Sequence, residues 1–70
     1  MRYEFFLEGD LYTFTALQRA RKDFSQLCTV SLRPENGLTA VSITPLSSAP
    51  YLVDELLNYA LGLSVQELLA

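Results

Sequence analysis

Seventy residues make one small domain, at the size where a single core is only just sufficient, and half of them are hydrophobic, so the chain is not disordered. Eight acidic against five basic residues leave a net charge of −3, which favours solubility and argues against a binder of nucleic-acid backbones. No apolar run reaches the roughly 18 residues of a membrane span, and Met1-Arg2-Tyr3-Glu4 lacks the apolar core of a secretion signal. These features point to an intact cytoplasmic protein.

The first predicted element is a strand from Arg2 to Glu8. Tyr3, Phe5 and Leu7 face one way, and Arg2, Glu4 and Glu8 face the other. Phe6 breaks the pattern by putting an aromatic ring on the polar face. It is either an isolated exposed side chain, which is common, or a contact with something outside the core.

Gly9-Asp10 signals a turn, and Thr13 is placed to cap a helix from about Phe14 to Gln26. Tyr12 and Leu17 fit the two positions of a hydrophobic staple. Leu17, Ala20, Phe24 and Leu27 form a single apolar stripe, with Gln18, Arg19, Lys22, Asp23 and Gln26 on the wet side.

A second strand, Cys28 to Arg33, alternates with Cys28, Val30 and Leu32 inward. The turn Pro34-Glu35-Asn36-Gly37 leads into a third, Leu38 to Thr44, with Val41 and Ile43 inward. Thr29, Ser31, Ala40 and Ser42 then give the outer sheet face a short, almost uncharged surface. A face made only for solvent carries more Lys and Glu.

The stretch from Pro50 to Gly62 reads as the second helix, with Pro near its start, Ser48 as a cap and Gly at its end. Val53, Leu56, Leu57, Ala60 and Leu61 form one face, and Leu52 and Tyr59 widen it to roughly 200°, twice what a one-sided helix needs. Such a helix must bury against two things, the second being either the first helix or another chain. Ser64-Val65-Gln66-Glu67 has the spacing of a capping box. Residues 64–70 therefore read as a short terminal helix, or else as a continuation of helix 2 through Gly62.

The order β-α-β-β-α predicts an α+β two-layer sandwich. A right-handed crossover sets strand 1 parallel to strand 2 with strand 3 between them, order 1-3-2, and both helices on one face. This is a ferredoxin-like fold lacking the last strand, which leaves the far edge of strand 1 open to another chain.

Several chemistries are excluded. The chain has no histidine, which removes Ser-His and Cys-His dyads and most zinc sites. Its single cysteine, Cys28, forms no intrachain disulfide and packs as a small hydrophobe. Gly9, Gly37 and Gly62 are isolated and cradle no phosphate. Asp54-Glu55 fits a solvated helix face rather than a catalytic pair. No cofactor is expected, and the chain does not read as an independent enzyme.

The run Leu11 to Ala20, then Phe24, the strand pair and Leu56-Leu57-Asn58-Tyr59-Ala60-Leu61 resembles the His-Xaa-Ser system protein HxsD family. The departure is Gly62-Leu63, where that family usually carries Arg and an acidic residue. The resemblance implies a non-catalytic accessory of a peptide-modification system, with a radical-SAM enzyme or its peptide substrate as partner. Phe6, Leu52, Asn58 and Tyr59 are the candidate contact residues. A homodimer is the other partnership considered, as part of a small-molecule-sensing or regulatory domain joined through strand 1.

Overall fold

The computed structural model describes residues 1–48 and 51–69. It contains strand β1 (Tyr3–Glu8), helix α1 (Phe14–Asp23), strands β2 (Cys28–Glu35) and β3 (Leu38–Pro45), and helix α2 (Leu52–Leu69). The sheet order is β1-β3-β2, and both outer strands run antiparallel to β3. This is the expected α+β arrangement.

Register places Tyr3, Phe5 and Leu7 beside Ile43, Val41 and Thr39 on one sheet face, and Val30 and Leu32 beside the same Ile43 and Val41. Both helices cover this face. Leu17 and Ala20 from α1 and Leu52, Leu56 and Ala60 from α2 close the core over Cys28, Val30, Val41 and Ile43. α1 packs over β2 and α2 over β3, so the flank of α2 that faces away from α1 lies on the side of β1.

The hairpin is tighter than expected. Pro34 and Glu35 belong to β2, and only Asn36 and Gly37 form the loop, both at positive φ (47° and 84°). That is the two-residue turn whose twist matches its flanking strands, and Asn-Gly is its preferred sequence.

The first helix stops at Asp23, three residues short of the expected Gln26. The Phe24 N–H donates to the Ala20 carbonyl at the helix end. Leu27 is drawn toward the sheet, where its carbonyl accepts from the Leu46 N–H at 3.0 Å, and its side chain is 52% exposed rather than part of the apolar stripe.

The second helix runs unbroken from Leu52 to Leu69, so Gly62 is not its end and no separate terminal helix forms. Its expected start at Pro50 lies outside the described residues. Its buried line is Leu52, Leu56, Ala60 and Ser64, while Val53, Leu57 and Leu61 are only half-buried.

Candidate interaction surface

The two sides of the molecule are built differently. On one side α1 and α2 are fastened at both ends of their contact. The Ser64 hydroxyl, inside α2, donates to the Ala60 carbonyl at 2.8 Å and accepts the Thr13 N–H at 2.9 Å. Glu67, one turn later on the same helix face, accepts from the Thr13 and Thr15 hydroxyls. Those two hydroxyls hold its carboxyl below the usual range. A carboxylate is thereby set at the N-terminal turn of α1, where the unpaired N–H groups favour negative charge. The S-x-x-E spacing of Ser64 and Glu67 is thus not a capping box for its own helix but a clasp on the start of the other one.

At the far end the Tyr59 ring leans on Phe24, with centroids 5.6 Å apart and planes at 53°, and its hydroxyl donates to the Asp23 carboxylate. That bond holds Asp23 below its ordinary value, helped by Arg19 at 3.1 Å, and pushes the Tyr59 phenol up.

Among the described residues the opposite side has no such fastening. The Gly9 N–H donates to the Gly37 carbonyl at 3.1 Å. In an antiparallel ladder such pairs alternate, so Leu7, Phe5 and Tyr3 turn their backbone groups to β3 and Glu8, Phe6 and Glu4 turn theirs outward. The Glu8 carbonyl is taken by the N–H groups of Leu11 and Tyr12. What the edge offers is both groups of Glu4 and Phe6 and the N–H of Glu8. The Phe6 side chain, 65% exposed, stands beside them on the outer sheet face, opposite Ala40. Arg2, Glu4, Phe6, Ser31, Arg33 and Ser42 line a depression on that face.

Of the four expected contact residues, Phe6, Asn58 and Tyr59 are exposed, but on different layers: Phe6 on the outer sheet face and Asn58 and Tyr59 on α2. Leu52 is 5% exposed and sits in the core, where it offers a partner almost nothing. Tyr59 keeps about a third of its surface exposed while its ring leans on Phe24 and its hydroxyl bonds Asp23. The structure does not gather the four into one patch. The signal that finds the Ser64–Glu67 clasp is present in the chain as an i, i+3 polar pair within an apolar helix.

Cys28 is buried, its thiol donates to the Phe24 carbonyl at 3.5 Å, and burial pushes its pKa up, away from thiolate chemistry. Among the described residues no buried side-chain nitrogen or oxygen lacks a hydrogen bond, and no three acidic or cysteine side chains cluster closely enough to hold a metal ion. No helix among them is long and apolar enough to cross a membrane. Compared with known protein families, curated proteins and solved structures, the chain matches none.

Proposed function

We propose that the protein is a non-catalytic binding module that docks another polypeptide along the free edge of β1. In this reading it serves as an accessory in the peptide-modification setting that the HxsD resemblance implies, with a radical-SAM enzyme or its peptide substrate as the eventual client. The observation that carries the reading is the run of outward backbone groups at Glu4 and Phe6 beside an exposed aromatic ring. An added strand gains affinity from such main-chain groups and specificity from the side chains next to them.

The test is calorimetric titration of a purified radical-SAM enzyme of a His-Xaa-Ser system, and of its peptide substrate, against wild type, Phe6→Pro and Gln18→Ala. Proline at position 6 removes an outward N–H without touching the β1–β3 ladder. Binding lost in Phe6→Pro and kept in Gln18→Ala supports the reading. Equal binding by both variants, or none by a wild type kept monomeric by dilution, contradicts it.

A further inference from the structure

We propose that the polypeptide accepted by β1 is a second copy of this chain, paired antiparallel about a two-fold axis through Phe5, so that two three-stranded sheets become one of six strands. The inference rests on the reading of β1 as a docking edge and names its occupant.

Charge selects both the occupant and the register. Pairing about a two-fold axis perpendicular to the sheet sets residues of the same face opposite one another, so the register must centre on a residue. Two registers pair most of the strand, one centred on Phe5 and one on Phe6. The Phe6-centred register sets Glu4 against the second copy's Glu8, twice. The Phe5-centred register sets Arg2 against the second copy's Glu8, twice, and Glu4 against Phe6. On the inner face it sets Tyr3 against Leu7 and Phe5 against itself. Directly opposed like charges are destabilising and opposite charges favourable, so the Phe5-centred register is preferred. It also uses the edge groups that are free: Glu4 and Phe6 exchange N–H···O bonds, and the Glu8 N–H donates to the Arg2 carbonyl.

A second observation is independent of the strand. Leu57, Leu61, Val65 and Leu68 fall within an arc of about 80° at 100° per residue, on the flank of α2 opposite Tyr59, Leu63 and Glu67. Val65 is 46% and Leu68 61% exposed, while Leu57 and Leu61 are half-buried. This flank lies on the side of β1. The proposed two-fold keeps both α2 helices on one sheet face with these flanks turned toward each other. One operation therefore covers the open edge and the unpartnered apolar stripe together.

The experiment is sedimentation equilibrium over a dilution series at low salt, on wild type, Arg2→Glu, Glu8→Arg and the double variant, with circular dichroism to confirm folding. Both residues are exposed, and the Arg2–Glu4 pair at 3.6 Å that Arg2→Glu removes lies on the surface, where such pairs contribute little. The wild type should form dimers, each single reversal should weaken them by about tenfold, and the double variant should recover most of the loss. A dimer strengthened by Glu8→Arg, or one indifferent to all three variants, overturns the register. A wild type that stays monomeric overturns the second copy as occupant. If that monomer still binds the enzyme or its peptide in a Phe6-dependent way, β1 remains a docking edge for a different chain.

Discussion

The two edges of the sheet teach how the chain separates a closed side from an open one. Both β1 and β2 are edge strands, and both carry outward backbone groups. On β2 the ladder turns Cys28, Val30, Leu32 and Pro34 outward. The Cys28 N–H is already bonded to the Phe24 carbonyl at 3.1 Å, and Pro34 has no N–H to offer. Arg21 and Lys22 of α1 stand beside Cys28, Thr29 and Val30 at the same depression. Proline and positive charge are the usual means of blunting an edge. β1 itself has neither lysine nor proline, and the basic residues at its depression are Arg2 and Arg33, the latter paired with Glu35. The same contrast recurs in α2, one flank of which is clasped to α1 while the other is apolar and leaves Val65 and Leu68 exposed.

The sharpest way to break this contrast is Phe6→Pro. It should lower self-association by about a hundredfold, through two lost interchain bonds and their displaced neighbours, while leaving the denaturation midpoint of the monomer nearly unchanged. Dilution followed by light scattering reads the first, and urea unfolding at low concentration the second.

On the closed side Ser64→Ala should do the reverse. It leaves the Thr13 N–H without its partner and should cost about 1–3 kcal/mol of folding stability, visible in urea unfolding, with little change in association corrected for the folded fraction.

Pro34→Val sharpens the comparison from the guarded edge. Restoring a donor and a strand-favouring side chain there should produce species larger than a dimer at high concentration, detectable by sedimentation velocity. If β2 stays silent, charge from α1 rather than proline is what guards it.

The smallest expected effect is the acid response of the clasp. The folded state holds Glu67 below the ordinary value of 4.5. Its contribution is therefore present above that value and is lost as the pH falls through the folded pKa. Thermal unfolding of the wild type should weaken on the acid side of pH 4.5, and Glu67→Gln should flatten that part of the profile.

The sheet was legible in the chain because alternation and the Asn-Gly turn are local signals. Order 1-3-2 follows from them by chain geometry alone. The ends of the helices were not legible. Apolar spacing continues helically through Phe24 and Leu27, yet the demand of β2 and β3 for Leu27 as a flanking partner ends α1 early. Gly62 reads as a stop, and α2 runs through it because Ser64 and Glu67 are needed on the α1 side one turn further on. For the interaction surface, Phe6 was visible as a break in alternation. Leu52 was misplaced because a helical wheel gives a wide apolar arc without saying where α1 sits on it. The core took Leu52, and the apolar surface that α2 leaves exposed lies at Val65 and Leu68, beside the half-buried Leu57 and Leu61.

Residue-resolved amide hydrogen exchange, measured from dilute to concentrated solution, tests the difference between the two edges most directly. The Glu4 and Phe6 amides should slow as concentration rises, while those of Val30 and Leu32 on the guarded edge stay fast at every concentration. Glu4 and Phe6 amides that remain as unprotected as Val30 and Leu32 in the most concentrated sample would contradict the account.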